Sequence, residues 1–487
     1  MNTQKFYRLF LTLLCLTLTL TLAIGTVNAS PSQHTETDFE AIDAYVTEQM
    51  STLNFPGLAL GIVQNNQPAH LKGFGIADSS GRPITPQTPF RIGSVTKSFT
   101  ALAIMQLVEE GKINLDAPVQ TYLPWFRLAD EEASAKITVR HLLNHTSGIS
   151  MKDGNSLFAS KTGLEETVRS LDKIKLTQAI GSTYQYCNIN YMIAGLIVEV
   201  VSGQAYADYV SEHIFEPLDM QHSYGSLETA RLDSIAHGHI FMLGRFWEND
   251  GWVPPANVPA GALIVSIEDM THYALMQLNA GRYEENTLLS PQGMDELHAP
   301  AALVNESEFY AMGWTVGKMD GKPYISHTGD DGRFHSVIYL FPEEGAGIVL
   351  LVNATGLIQS AQIDQIAVGI LNILNDQPAQ PAAAPFLVVF IYWITLLTPL
   401  LMLLGIPFIW RKFDRINVWG TVIIVAVYLG LVIMLFQLAL QTITLTSMLV
   451  FYPDIGYALV ATAAIGIGWS VIFTVLFLIR QRAKLVQ

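Results

Sequence analysis

Residues 91–111, RIGSVTKSFTALAIMQLVEEG, form the most informative segment of the chain. It predicts a helix that begins near Ser94, carries Ser94 and Lys97 in its first turn, and ends at Gly111. Phe99 to Val108 is apolar on almost every side, which predicts a buried central helix rather than a surface helix. Because residues three apart lie on one helix face, the Lys97 amine can reach the Ser94 oxygen.

The pairing of Ser94 with Lys97 suggests nucleophilic catalysis. Ser94 would lie near unpaired N–H groups at the positive end of the helix dipole. Burial beside that dipole would favour a neutral Lys97, which can take the serine proton. The S-x-x-K pattern alone is weak, because Ser170 and Lys173 have the same spacing in a charged, solvated-looking helix. The rest of the chain must therefore support the catalytic interpretation.

The composition and the N-terminus indicate export. Half of the 487 residues are hydrophobic and only 14% are charged, which points to membrane segments. Residues 1–29 resemble a secretory signal peptide. Lys5 and Arg8 precede an apolar core, and small or compact residues end at Ala29, before the predicted cleavage position. An uncleaved N-terminal anchor is the alternative. Removal of the signal peptide leaves Cys187 as the one cysteine, which excludes an intrachain disulfide and a cysteine-based metal site.

Residues 386–487 form a predicted membrane domain. The segments 386–410, 418–440 and 455–479 are each long enough to span a bilayer, which takes about 20 apolar residues. The connection 441–454 has neither Lys nor Arg, whereas basic residues follow the first and third segments: Arg411, Lys412, Arg415, Arg480, Arg482 and Lys484. The positive-inside rule then places the C-terminus in the cytoplasm and the domain before the spans outside. A hydrophobic hairpin of core helices is the alternative.

The region 30–385 is strongly acidic. Of the 27 basic and 42 acidic residues, eight basic and two acidic lie outside it, which leaves a net charge of −21. This charge argues against a nucleic-acid partner and against docking on anionic lipid. We therefore expect contact with membrane lipid through the three C-terminal helices.

The order of patterns within 30–375 predicts an α+β domain. A helix over 37–53 and strands over 58–63 and 70–75 precede the Ser94 helix. From 115 to about 255 helical periods dominate without convincing strand pairs, which predicts a mostly helical second lobe. We expect an antiparallel sheet flanked by helices, with a site between the two lobes. The later patterns are strands over 261–265, 310–317, 323–327, 334–341 and 347–352, a closing helix over 358–374, and a Pro/Ala-rich linker over 376–385.

The segment 181–191, GSTYQYCNINY, places a phenol and an amide at the mouth of an apolar helix. Tyr186 supplies the phenol and Asn188 the amide. A phenolate can act as a base if a cation stabilises it. A tyrosine corner or a helix cap is the structural alternative.

The segment 324–332, YISHTGDDG, leads from a strand into a glycine-rich turn. His327 offers a cation or a donor, Thr328 a hydroxyl and Gly329 a flexible backbone along the strand edge. A strand end with a surface histidine is the structural alternative.

Two metal sites are further alternatives. Mixed spacing on a turn argues against the first set, His327, Asp330, Asp331 and His335. His141 and His145 have the i, i+4 spacing of zinc ligands, but they lack the adjacent glutamate of a zinc peptidase.

The three patterns, in this order, resemble the serine β-lactamase and penicillin-binding protein superfamily. The residues of these motifs are most similar to those of the class C branch, which includes D-aminopeptidases, D,D-carboxypeptidases and carboxylesterases. The connecting segments 137–148, ITVRHLLNHTSG, and 259–262, PAGA, fit as well, and the match covers about 37–375. The triplet at 161–163, KTG, matches the family motif more closely than the triplet at 327–329, HTG, does. It precedes Tyr186 and runs into a helix, so we assign the motif to 327–329.

The resemblance implies a role for each matching residue. Ser94 would attack a carbonyl group, and Lys97 and Tyr186 would share the proton transfers. Asn188 would position the substrate amide, and the triplet His327, Thr328 and Gly329 would bind substrate. The backbone N–H groups of Ser94 and Asp330 would form the oxyanion hole, where one donor is worth about 10²–10³ in rate. The resemblance implies no metal and no organic cofactor.

Two departures bear on the substrate. His327 replaces the lysine of class C β-lactamases, which removes a permanent cation at neutral pH. Cys187 stands where serine is more usual, and we expect its backbone to matter more than its side chain.

The sequence therefore predicts a membrane-anchored, extracytoplasmic serine hydrolase. Its substrates would be amides or esters, such as D-amino-acid peptides or cell-wall peptidoglycan fragments. A carboxylesterase or a weak β-lactamase is the second hypothesis. A penicillin-recognising receptor or an inactive partner module is a hypothesis of another class.

Overall fold

The computed structural model of the protein describes residues 36–156, 161–440 and 444–486. The predicted signal peptide, 1–29, lies outside the described residues. The centre of the fold is an eight-stranded antiparallel sheet. From one edge to the other its strands are Gln67–Gly75, Gly57–Gln64, Ala346–Val352, His335–Phe341, Lys322–Asp330, Thr315–Met319, Phe309–Tyr310 and Ala302–Leu303.

Both faces of the sheet are covered, so its central strands are buried almost throughout. Along Ala346–Val352 the side chains alternate between two cores. Ile348 and Leu350 pack toward one core, whereas Val349 and Leu351 pack toward the other. This burial explains why the strands are nearly continuous apolar runs rather than alternating ones.

Two helices from opposite ends of the domain cover one face of the sheet. Glu36–Leu53 contributes Ile42 and Val46 to that core, and Leu357–Leu374 contributes Ile363 and Ile366. The other core holds the helix Thr96–Glu109, which is buried along almost its whole length as predicted. The remaining helices before the C-terminal region are Glu131–Ser134, Val139–Leu143, Met151–Ser156, Leu164–Arg169, Asn188–Ser202, Tyr206–Val210, Leu227–Ala230, Val258–Gly261, Ile267–Leu278 and Pro291–Leu297.

The prediction of a lobe without strand pairs over 115–255 is wrong at one place. A hairpin of His239–Met242 and Arg245–Glu248 lies there, and Ala354–Thr355 pairs with it in parallel. Its two turn residues, Leu243 and Gly244, both have positive φ. The usual sequence of such a turn is Asn-Gly. Because leucine occupies the first position here, the sequence does not indicate the hairpin.

Two of the later strand predictions also need correction. Most of 261–265 is not a strand, because Val258–Gly261 is helical and only Ile264–Val265 pairs, with Phe90–Arg91. The predicted strand 310–317 is two strands, because the chain turns at Gly313, where φ is +79°.

Four helices among the described residues are long and apolar enough to cross a membrane. Three of them, Phe386–Arg411, Val418–Ala439 and Pro453–Lys484, correspond to the predicted spans. The fourth, Leu357–Leu374, is the predicted closing helix, and it packs on the sheet. A short helix that the sequence did not predict, Leu445–Phe451, lies between the second and third of the C-terminal helices.

Candidate active site

Ser94 lies in a tight turn that feeds the central helix. The turn Gly93–Val95 is a 3₁₀ helix, and the α-helix Thr96–Glu109 continues from it. The predicted helix start is therefore tighter than an α-helical turn. Ser94 keeps partial exposure at the helix mouth, whereas Lys97 is fully buried below it.

Lys97 is held by three oxygen atoms. Its Nζ lies 2.8 Å from Ser94 Oγ, 2.8 Å from Asn188 Oδ1 and 2.5 Å from the carbonyl oxygen of Ala260. Burial holds the pKa of the Lys97 amine well below its ordinary value. A neutral amine donates two hydrogen bonds and accepts one. It can therefore donate to Asn188 and Ala260 while its lone pair accepts the Ser94 hydroxyl proton.

Tyr186 completes the contacts of the serine oxygen. Its hydroxyl donates to Ser94 Oγ at 2.6 Å, and Lys97 Nζ lies 4.8 Å from the centre of its ring. Burial raises the pKa of Tyr186, and the hydrogen bond to Ser94 opposes this only in part. Tyr186 is therefore a protonated donor in the resting site, and the neutral Lys97 is the better base.

His145 supports the segment that carries Tyr186. The N–H of Cys187 donates to His145 Nδ1 at 3.2 Å, and the N–H of Gln185 donates to the His145 carbonyl oxygen at 2.8 Å. The imidazole ring also lies 4.5 Å from the Tyr186 ring, measured between centroids. Burial, reinforced by Lys97 and His327, lowers the pKa of His145 well below its ordinary value, so the ring is neutral.

The strand Lys322–Asp330 approaches the Ser94 turn through two glycines. A methyl group added to Gly93, whose φ is +49°, would lie 2.6 Å from the amide nitrogen of Asp330. A methyl group added to Gly329 would overlap the carbonyl oxygen of Ile92. Only glycine at both positions permits this approach, which brings the amide of Asp330 beside the Ser94 turn.

His327 lies on this strand as a neutral ring. Its Nε2 lies 3.1 Å from the Tyr310 hydroxyl, and its Nδ1 lies 2.7 Å from the carbonyl oxygen of Thr328. Burial, and then the neighbouring Lys97, lowers the pKa of His327 to about 3. The residue is thus not the cation that the sequence left open. Its Nδ1–H donates to the backbone, and its Nε2 accepts from Tyr310.

One cavity of about 600 Å³ joins the predicted residues. Ser94, Tyr186, Asn188, His327 and Thr328 line it, and Lys97 lies buried behind the serine. Asp330 also lines the cavity. Part of its remaining wall comes from the C-terminal helices.

Two aromatic residues that line the cavity were not predicted as site residues from the sequence. Tyr184 and Tyr310 line the cavity, with ring centroids 5.3 Å apart. Tyr310 reaches the site from the strand next to one edge of the sheet, and no sequence pattern marks it. His145 could have been found, because it lies within the quoted segment 137–148, but its spacing suggested a metal site instead.

The competing serine–lysine pair and the competing triplet lie apart from this cavity. Ser170 and Lys173 are exposed, and neither they nor residues 161–163 are among the residues that line it. His141 Nδ1 contacts Thr138, whereas His145 Nδ1 accepts from Cys187. Within the described ranges, no three histidine, cysteine or acidic side chains are grouped closely enough to hold a metal ion.

The acidic residues after the triplet have other partners. Asp331 forms an ion pair with Arg91, with 2.6 Å between Oδ2 and Nε. His335 Nε2 lies 3.0 Å from Asp364 Oδ1, and its Nδ1 lies 3.6 Å from Asp330 Oδ2. The first pair ties the segment after the triplet to the strand Phe90–Arg91, and the second ties it to the closing helix.

Known proteins match most of the domain that carries this site. The model of the family described as Beta-lactamase matches residues 42–372. The chain is 28% identical over 326 residues to Protein flp of Staphylococcus aureus (strain MW2), covering 64% of this chain and 63% of that protein. It is 29% identical over 336 residues to Penicillin-binding protein 4 of Amycolatopsis lactamdurans, covering 64% of this chain and 84% of that protein. The chain thus spans less than two thirds of the length of the flp protein.

A solved structure has the same fold. The octameric penicillin-binding protein homologue from Pyrococcus abyssi superimposes with a TM-score of 0.62 at 28% sequence identity. The match covers 74% of this chain and 81% of that one.

Proposed function

The chain belongs to the Beta-lactamase family, and we propose that it is a serine hydrolase that cleaves amide or ester bonds through an acyl-enzyme. One observation carries this proposal. Ser94 Oγ lies 2.8 Å from the buried Lys97 amine and 2.6 Å from the Tyr186 hydroxyl, at the wall of an open cavity. A serine placed between a neutral base and a proton donor is equipped for acyl transfer.

The proposed reaction has two halves. Lys97 takes the Ser94 proton as Oγ forms a bond to the substrate carbonyl carbon. The N–H groups of Ser94 and Asp330 stabilise the resulting oxyanion. Tyr186 gives its proton to the leaving nitrogen or oxygen and regains one from Lys97. Water then attacks the acyl-enzyme by the reverse proton path, which releases the acid and restores Ser94.

The substrates that we propose from the motifs are D-amino-acid peptides or cell-wall fragments. A carboxylesterase is the second candidate, and a specific observation favours it. Among the described residues that line the cavity none is lysine or arginine, and His327 is neutral. A substrate without a free carboxylate therefore suits the cavity better than one with a carboxylate, which would need a cationic partner.

We further propose that three C-terminal helices anchor the enzyme, with the catalytic domain extracytoplasmic and the C-terminus cytoplasmic. The support is the hydropathy of Phe386–Arg411, Val418–Ala439 and Pro453–Lys484. The position of the basic residues after the first and third of these helices agrees with this topology. A signal peptide over 1–29 would deliver the domain to that side.

Turnover by the full-length protein in detergent tests the proposed function. The substrates are p-nitrophenyl acetate, D-alanine p-nitroanilide and benzylpenicillin, and the variant is Ser94→Ala. Ser170→Ala is the matched control, because it removes a serine with the same spacing to a lysine outside the cavity. We expect hydrolysis of an ester or amide that Ser94→Ala abolishes and Ser170→Ala retains. Equal rates in Ser94→Ala and wild type would contradict the proposal.

A further inference from the structure

The C-terminal helices form part of the wall of the active-site cavity. We call this wall the membrane groove and define it by the apolar residues Ile391, Leu435, Leu438, Ala439, Met448 and Phe451, all of which line the same cavity as Ser94. They come from three different helices of the C-terminal region. Ser94 and the groove thus share one continuous space of about 600 Å³, which lies within the range of ligand sites.

Contacts with the catalytic domain hold the groove in place. The Arg333 guanidinium donates to the carbonyl oxygen of Val450 at 2.8 Å, immediately before Phe451. Leu357 and Ile358 of the closing helix pack into a cluster with buried Leu435 and Met448. The groove therefore contacts both the turn that follows the strand Lys322–Asp330 and the closing helix.

The groove lies at one end of the helix bundle. Ala439 is the last residue of its helix, and Ile391 and Thr395 follow the helix start at Phe386 by five and nine residues. Thr395 also lines the cavity. At 1.5 Å per residue, the cavity therefore reaches about 14 Å along the first helix. This is about half of the roughly 30 Å hydrocarbon thickness, or one leaflet. In the proposed topology it is the outer leaflet.

The groove also reaches the outside of the bundle. Leu438 lines the cavity and is 45% exposed on a helix whose exposed face is almost wholly apolar. A side chain in this position would contact lipid chains in a membrane. The cavity therefore extends from Ser94 to a helix surface that would face the hydrocarbon in the proposed topology.

We propose that the substrate is a membrane amphiphile whose hydrocarbon chain lies in the membrane groove while its ester or amide group lies at Ser94. The proposal rests on the proposed function and specifies its substrate class. A hydrocarbon chain can fill an apolar groove without leaving a polar group unpaired. A peptide strand in the groove would leave N–H and C=O groups unpaired, at several kcal/mol for each group.

The test compares chain lengths in the full-length protein in detergent. The probes are p-nitrophenyl acetate and p-nitrophenyl decanoate, which place the chain on the acyl side, together with ethyl acetate and decyl acetate, which place it on the leaving side. Ala439→Trp fills the groove with an indole ring. Ala426→Trp is the matched control, because Ala426 lies exposed on the same helix and is not among the residues that line the cavity.

We expect the ratio of kcat/KM for the long ester to that for its short partner to fall at least tenfold in Ala439→Trp, in one of the two ester pairs. The ratio in Ala426→Trp should equal that of wild type, which controls for partition of long esters into micelles. An unchanged ratio for both pairs in Ala439→Trp would overturn the inference. Failure of the proposed function is distinguishable, because the short esters would then be turned over equally by wild type and Ser94→Ala.

Two natural chemistries share the hydrocarbon chain, and a second assay separates them. Lysophosphatidylcholine presents a fatty-acyl ester, and N-palmitoyl-D-alanyl-D-alanine presents an acylated peptide. Release of palmitate from the first or of D-alanine from the second, lowered by Ala439→Trp and not by Ala426→Trp, supports the inference and identifies the source. Turnover of both that Ala439→Trp leaves unchanged would contradict it.

Discussion

At the scale of single residues, the protonation state of Lys97 governs the proposed chemistry. Its amine contacts three oxygen atoms, Ser94 Oγ, Asn188 Oδ1 and the Ala260 carbonyl oxygen. Within the described part of the chain, no carboxylate forms a hydrogen bond with this amine. Burial without a counter-charge favours the neutral amine. The same side chain would be an inert cation if an acidic residue stood beside it.

Replacement of Lys97 by alanine should therefore remove the general base. We expect Lys97→Ala to lower kcat/KM for p-nitrophenyl acetate by about 10²–10⁴, the range typical of general-base catalysis. Lys173→Ala is the matched control, since Lys173 is exposed and outside the cavity. Circular dichroism would show that both variants fold. A rate in Lys97→Ala within a factor of two of wild type would assign the base to another group.

His335 should make stability depend on pH. Burial opposes its charge, but Asp330 and Asp364 outweigh burial and raise the pKa of His335 to about 9. A raised pKa stabilises the fold fully below the unfolded value near 6.5, and this stability is lost as pH rises through 9. The upper limit is about 3 kcal/mol, and the real effect is smaller because Asp364 is 40% exposed.

The thermal unfolding midpoint of the full chain in detergent checks this prediction. It should fall between pH 6.5 and 9 in wild type, and this fall should be smaller in His335→Gln. His298→Gln is the control, because burial lowers the pKa of His298 to about 4 and keeps it neutral across the window. The same slope in His335→Gln as in wild type would show that His335 is not charged in the fold.

The sequence predicted the residues of the site better than their partners. Ser94 and Lys97 were recognisable because three-residue spacing fixes their relation within one turn. Tyr310 and His145 were not, because their positions against His327 and Tyr186 arise from packing between distant segments. The neutral state of His327 also depends on burial, which one residue's surroundings in the sequence do not reveal.

At the scale of elements, the close approach of one strand to one turn positions the amide of Asp330 for the proposed oxyanion hole. Gly329→Ala would push the strand Lys322–Asp330 away from Ile92 and displace the amide of Asp330 from the Ser94 turn. We expect kcat/KM for p-nitrophenyl acetate to fall by about 10²–10³, the worth of one oxyanion donor. Gly163→Ala is the matched control, because nothing lies within 4 Å of an added methyl group there. Unimpaired turnover in Gly329→Ala would remove Asp330 from the oxyanion hole.

Elements with strong local patterns were predictable, and those defined by turns were not. The central helix and the strand Gly57–Gln64 have long apolar runs that specify them. The hairpin at 239–248 has a Leu-Gly turn and partly exposed strands, so its pattern is faint. The split at Gly313 was missed because one positive φ angle interrupts an otherwise strand-like segment.

At the scale of the whole molecule, the C-terminal helices dock beside Ser94 and line the same cavity. Hydropathy located the three helices but carries no information about the domain surface that they contact. In the structure, a methyl group added to Gly332 would lie 2.9 Å from Phe451 Cδ1 and 3.3 Å from its Cα. These positions are close enough for a disulfide between engineered cysteines.

Oxidation of Gly332→Cys/Phe451→Cys tests this docking. A protease site inserted in the linker 376–385 would separate the catalytic and C-terminal fragments. We expect the fragments of the oxidised double variant to stay joined on a non-reducing gel and to separate after reduction, whereas either single variant separates without reduction. Separation of the oxidised double variant would contradict the observed packing, and with it the membrane groove.

The intact mass of the full-length protein after treatment with a short-chain fluorophosphonate tests directly whether Ser94 is an activated nucleophile. We expect one adduct on wild type, none on Ser94→Ala, and an adduct on Ser170→Ala that forms at the wild-type rate. No adduct on wild type, or an equal adduct on Ser94→Ala, would contradict an activated Ser94.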